Sequence, residues 1–217
     1  MSKYLFKPAA SLLATIEERP LELGLLIDRS ASMSGNVKTV CDGTNQILDV
    51  QKTLPGEAFV TTALFSSEIE FIDRHEPIAT ATYLDRDNYV PNENTALLDA
   101  IGQVIGAIDS RGDALPERSR VMLAILTDGA ENNSRRFNFE TTKELIRART
   151  RSDGWSFILI APDSAKLALR LGIPLENCMP WVSSADGLLR LFDRLGSSIK
   201  SFRLGDQRYA LRLRDKS

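Results

Sequence analysis

LLIDRSASMSG, residues 25–35, decides how this chain is read. Leu25, Leu26 and Ile27 run straight into Asp28, Ser30 and Ser32, three polar side chains spaced two apart. A continuous apolar run that stops at turn residues predicts a strand buried on both faces, as in a parallel sheet. Ligands of open parallel sheets bind beyond the carboxyl ends of the strands. A period of two turns Asp28, Ser30 and Ser32 toward one point. The stretch therefore predicts a core strand whose end is a binding site.

The same pattern recurs along the chain. Residues 21–28, 121–128 and 156–162 are apolar runs of strand length. Residues 57–66 and 68–73 are β-branched or alternating and closely linked, which predicts a hairpin at one sheet edge. Residues 176–182 supply a last strand. Helical spacing of apolar residues covers Val37 to Leu48, Leu97 to Ile108, 139–150, 164–172 with Gly172 as a stop, and Leu188 to Phe202. Strands alternating with helices predict an α/β protein. The layers are a mostly parallel central sheet, one antiparallel edge strand, and helices on both faces. One domain spans 20–203. A helical lead-in occupies 1–19, with a short amphipathic helix at 9–18. A tail follows at 204–217, where Tyr209, Leu211 and Leu213 alternate with polar residues.

Composition narrows the function. The 217 residues are 43% hydrophobic and 26% charged, an ordinary globular balance. A net charge of −2 supplies no basic field for nucleic acid. No apolar run reaches the ~20 residues of a membrane helix. Cys41 and Cys178 lie far apart, without metal-ligand spacing, and read as two reduced thiols. The start does not read as a secretory signal, because Glu17 and Glu18 follow a short apolar stretch. A cytoplasmic location is the expectation.

Two further segments complete the polar strand end. ILTDGAENNS ends the second long strand at Asp128, and NENTALLDAIG opens a helix after Thr95. If the two strands are neighbours, both carboxylates reach one crevice. Thr95 also has a plain reading as a helix cap. Two carboxylates and three hydroxyls are all oxygen donors, which suits Mg²⁺, with Mn²⁺ as the alternative ion. On this reading Ser30, Ser32 and Thr95 bind the ion through hydroxyls, and Asp28 and Asp128 hold it through water. A carboxylate ~4 Å from a unit charge gains ~4 kcal/mol at an effective dielectric near 20, about double for a divalent ion. An ion held by neutral oxygens still seeks an anionic one. The natural donor is a Glu or Asp of another protein.

DRSAS (Asp28, Ser30, Ser32), NTALLDAI (Thr95) and LTDG (Asp128) resemble the motifs of the von Willebrand factor type A domain and its metal-ion-dependent adhesion site. The likeness covers roughly residues 20–200 and is greatest to free-standing bacterial and phage members. The family often has glycine where Ala31 and Asn94 stand; Asn94 suits a left-handed backbone better than most residues. The resemblance implies a Rossmann-like three-layer sandwich and Mg²⁺-dependent protein binding without catalysis. It also implies a setting beside AAA-type ATPases or in stress, metal-chelation or phage-defence systems. Met33, Asn94, Glu131 and Asn132 are expected to form the rim that reads the partner.

Two other classes compete. A haloacid-dehalogenase-like phosphotransferase needs a nucleophilic Asp and a second acid two residues on, where this chain has Ser30. No GxSxG, GxxxxGK or GxGxxG segment appears. The single histidine, His75, reads as an exposed loop residue. The other rival is a scaffold whose metal site is idle and whose tail binds. A self-assembling variant has Asp113, from RGD at 111–113, filling the metal position of a second copy.

Overall fold

The computed structural model describes residues 19–110, 119–151, 154–182 and 184–205. The lead-in helix, the RGD segment with Asp113, and the tail beyond Gly205 lie outside the described residues. In chain order the elements are β1 (Leu21–Asp28), α1 (Val37–Lys52), β2 (Ala58–Phe65), β3 (Ile69–Phe71), β4 (Glu76–Pro77), α2 (Leu97–Asp109), β5 (Arg120–Leu126), α3 (Phe139–Arg151), β6 (Trp155–Ala161), α4 (Ser164–Leu171), β7 (Cys178–Pro180) and α5 (Ala185–Arg203). Among the described residues the sheet runs β3-β2-β1-β5-β6-β7, with β4 also paired to β2. β1, β2, β5, β6 and β7 are parallel, and β3 and β4 lie antiparallel to β2. The expected hairpin is present. The two-residue β4 is additional, too short for any periodicity to announce.

Alternation along the strands splits the core in two. Leu21, Leu23, Leu25 and Ile27 of β1 face a layer made by α1 and α5. Leu26 of β1, with Leu123 and Ile125 of β5, faces the helices of the other side, among them Ile101 and Ile105 of α2. Strands buried on both faces cannot alternate polar with apolar, which is why these read as continuous apolar runs. Gly172 ends α4 at φ 73°, the left-handed conformation a side chain would disfavour. Arg203, near the end of α5, is buried and reaches back to the far end of α1. Its guanidinium donates to the carbonyls of Gln51 (2.7 Å), Leu54 (3.2 Å) and Gly56 (2.6 Å).

Both cysteines are free thiols. Burial pushes each up to about 11, so neither carries a thiolate near neutrality. His75 is not an exposed loop residue. It adopts φ 53°, stacks on Phe59 at 4.0 Å and bonds through Nδ1 to the fully buried Glu22 of β1 at 2.6 Å. A carboxylate inside a sheet needs such a partner, and the only histidine supplies it. Among the described residues no helix is long and apolar enough to cross a membrane.

Candidate metal centre

The parallel register sets Ile27 of β1 against Leu126 of β5, so the two strands end side by side. Asp28 is wholly buried at that end. Its Oδ1 accepts the Ser30 backbone N–H at 2.6 Å, and its Oδ2 accepts the Thr127 hydroxyl. Burial pushes the Asp28 carboxyl above its ordinary range, against the hydrogen bonds from Thr127 and Ser30. The negative charge of Asp128 adds a smaller push in the same direction. A cation at this point reverses that balance.

Residues 31–36 form a 3₁₀ turn that carries Ser32 outward. The Ser30 and Ser32 hydroxyls lie 3.1 Å apart, and Ser32 donates to Asp128 Oδ1 at 2.6 Å. Adjacent ligands of an octahedral Mg²⁺ with bonds of about 2.1 Å sit about 3.0 Å apart, so the two serines already have a suitable edge length.

Thr95 reaches the same point from the segment before α2. A Cβ placed on Gly129 would meet Thr95 Oγ1 at 3.0 Å, Asp28 Oδ2 at 3.6 Å and Ser30 Oγ at 3.7 Å. The absence of a side chain at Gly129 thus leaves a small space walled by three oxygens. Thr95 is 3% exposed as a residue; its hydroxyl makes no hydrogen bond to the described residues and keeps an open side, so it is available as a ligand. It does not cap α2, whose N-cap position is Ala96. The helix start is served from outside instead: Leu98 N–H donates to Glu131 Oε2 and Asp99 N–H to Ser134 Oγ, both at 3.0 Å. Among the described residues no group of three or more His, Cys, Asp and Glu side chains is placed to hold a metal. Any ion here must rely on hydroxyls. The donor set fits a hard divalent cation on that count, on the serine spacing and on the unpartnered Thr95 hydroxyl.

The structure brings Asp28, Ser30, Ser32, Thr95 and Asp128 together, but it redraws the rim. Met33 is wholly buried in the α1 layer, because the 3₁₀ turn points it inward. Glu131 is a brace: its two oxygens take Asn133 N–H, Ser134 N–H, Leu98 N–H and the Ser134 hydroxyl. Asn132 clamps Thr95, its Oδ1 accepting Thr95 N–H at 3.0 Å while its own N–H donates to Thr95 O at 3.1 Å. Asn94 is exposed, and the left-handed residue beside it is Glu93, φ 56°, not Asn94. Two positioning residues went unread in the sequence. Thr127 holds Asp28. Tyr89, buried and with its phenol pushed far above the ordinary range by that burial, donates to the Asp28 carbonyl at 2.6 Å. The TD pair of LTDG offered a signal for Thr127; nothing local marked Tyr89.

No protein-family model and no curated protein matches this sequence. Solved structures do. A von Willebrand factor type A protein from Catenulispora acidiphila superposes with a TM-score of 0.57 at 14% identity, over 83% of this chain and 42% of that one. The chain has a von Willebrand factor type A fold. Proximal thread matrix protein 1 of the mussel byssus, with a zinc-occupied metal-ion-dependent adhesion site, shares this fold with a TM-score of 0.60 at 17% identity, over 82% of this chain and 45% of that one. The manganese-loaded TRAP protein of Plasmodium vivax gives 0.57 at 16% identity, over 80% and 71%. The chain spans less than half the length of the first two of these proteins. Two of these structures carry zinc and manganese, so a divalent ion is consistent with the fold.

Proposed function

We propose that residues 20–203 form a non-catalytic, metal-dependent protein-binding module. Mg²⁺, or Mn²⁺ in its place, is held by the hydroxyls of Ser30, Ser32 and Thr95, with Asp28 and Asp128 neutralising it. The ion then takes a carboxylate from a partner protein. Bound metal supplies a focused positive charge; the chain supplies its orientation. Asp28 locks the Ser30 backbone, Asp128 fixes the Ser32 hydroxyl, and Asn132 sets Thr95. The observation that carries this reading is the Thr95 hydroxyl, unbonded, facing Asp28 and Ser30 across the space above Gly129. The flanking segments 1–19 and 204–217 stand outside the module. The proposed setting is a bacterial cytoplasmic stress, defence or ATPase-linked assembly.

The test is thermal unfolding in Mg²⁺ and in EDTA, with capture of partners from host lysate under both conditions. Ligand at 100 times its Kd stabilises by about 2.7 kcal/mol, which in a chain this size raises Tm by roughly 5–10 °C. Thr95→Ala should lose most of that rise and the metal-dependent partners together. Equal Tm values with and without Mg²⁺, and partners indifferent to EDTA, would sink the reading.

A further inference from the structure

Two clefts flank the candidate centre, and they differ in kind. The larger, about 600 Å³, lies beyond Ala96 and is polar; its Arg29 is tied to Glu70 at 2.7 Å, and its Asp99 carboxylate accepts the N–H groups of Arg135, Arg136 and Phe137. The smaller, about 320 Å³, begins at Asp128 itself and runs between the ends of β5 and β6 toward α4. Ala130, Phe139, Ala161 and Leu167 give it an apolar lining, and Lys166 and Arg170 stand at its edge.

Of the three carboxylates lining the cleft, two sit at its metal end and keep their charge there, while the edge formed by α4 carries two cations against one acid. Glu131 is saturated by four hydrogen bonds, and Asp128 faces Ser32 and the centre. Asp163 alone remains on the acidic side. Arg170 lies over the Phe139 ring at 3.3 Å, and neither it nor Lys166 has an ion pair among the described residues. A pocket that is apolar within and cationic at the lip fits an apolar side chain on an acidic segment.

We infer that the cleft beside Asp128 is the specificity pocket for the partner segment whose carboxylate reaches the metal, a deduction resting on the metal-dependent reading above. Its occupant is a large aliphatic or aromatic side chain one or two residues from the coordinating acid. A second acid further along the segment meets Lys166. The distance follows from chain geometry. An extended segment advances ~3.3 Å per residue, and a cleft that starts at Asp128 is entered within two residues of the ion. The polar cleft opposite offers no comparable apolar seat, so the segment has one preferred direction across the site.

The experiment uses fluorescence polarisation of labelled peptides in Mg²⁺ and in EDTA. One Gly/Ser peptide carries a single Glu; a series adds Leu one or two residues to either side; a third set adds a second Glu beyond the Leu. Burying a leucine side chain gives about 1.5–3 kcal/mol, so the favoured Leu peptide should bind at least about tenfold tighter than the single-Glu peptide, and only with Mg²⁺. Ala130→Phe, at an exposed position lining the cleft, should erase that gain while leaving single-Glu binding and the Mg²⁺-induced rise in Tm intact. Lys166→Glu should remove the further gain from the second Glu without relying on the first variant. Single-Glu and Leu peptides binding equally in Mg²⁺ overturn the pocket and leave the metal reading standing. Leu peptides binding equally in EDTA overturn its coupling to the metal. No metal-dependent binding and no Mg²⁺ shift in Tm overturn both.

Discussion

Asp28 does two jobs that point in opposite directions. Its oxygens organise the turn by accepting Ser30 N–H and the Thr127 hydroxyl, while its charge, buried near Asp128, is unfavourable until a cation arrives. Substitutions can separate the two. Asparagine keeps an acceptor for Ser30, and its amide can donate to a Thr127 hydroxyl turned to accept. Asp28→Asn should hold or raise the Tm in EDTA by a few degrees, about 1 kcal/mol, and abolish the rise with Mg²⁺. Asp28→Ala strands the Ser30 N–H, leaves Thr127 only its longer bond to the Gly129 carbonyl (3.3 Å), and should cost about 1–3 kcal/mol in EDTA; differential scanning fluorimetry of the two variants distinguishes the roles. At this scale the polar residues at the strand end were legible because a carboxylate after a buried run contradicts its surroundings. Met33 was not. Whether a loop methionine turns in or out depends on the 3₁₀ turn around it, and the sequence near it is polar either way.

The helices show a similar division. The spacing of Leu97, Leu98, Ile101, Val104, Ile105 and Ile108 was enough to place α2, but nothing local named its cap. The groups that close its first turn come from a loop more than thirty residues later: Glu131 and Ser134. This is why Glu131, expected at the rim, acts as a brace. Asp99 returns the favour by holding the N–H groups of residues 135–137. Glu131→Ala should therefore destabilise the protein by about 1–3 kcal/mol, read from urea denaturation. It should also weaken Mg²⁺ binding, because Thr95 sits on the segment that Glu131 steadies. Unchanged stability in this variant would show that water replaces the brace. The strands were legible for the opposite reason: burial on both faces is a property of the run itself.

Across the whole molecule, the site depends on strand order. β1 lies between β2 and β5, and that adjacency brings Asp28 beside the end of the strand leading to Asp128. The sequence supplied the alternation of strands and helices, and with it the three layers. It did not supply the adjacency, which is set by packing between segments about a hundred residues apart. The pairing of Glu22 with His75 is the same kind of fact, a long-range partner with no local mark. Arg203 belongs here too. Removing its guanidinium leaves the carbonyls of Gln51, Leu54 and Gly56 without that donor. Arg203→Ala should cost about 2–4 kcal/mol in urea denaturation, with metal affinity unchanged, since the contact is remote from the β1 and β5 ends.

The clasp also bears on how the chain is born. Synthesis delivers residues in order at ~5–20 per second, so α1 emerges long before the arginine that finishes its far end. In the folded molecule α1 and α5 together cover the face of β1 that carries Leu21, Leu23, Leu25 and Ile27. Half of that cover is made only after every strand of the described sheet, so this face cannot be fully buried before residue 203 has been synthesised.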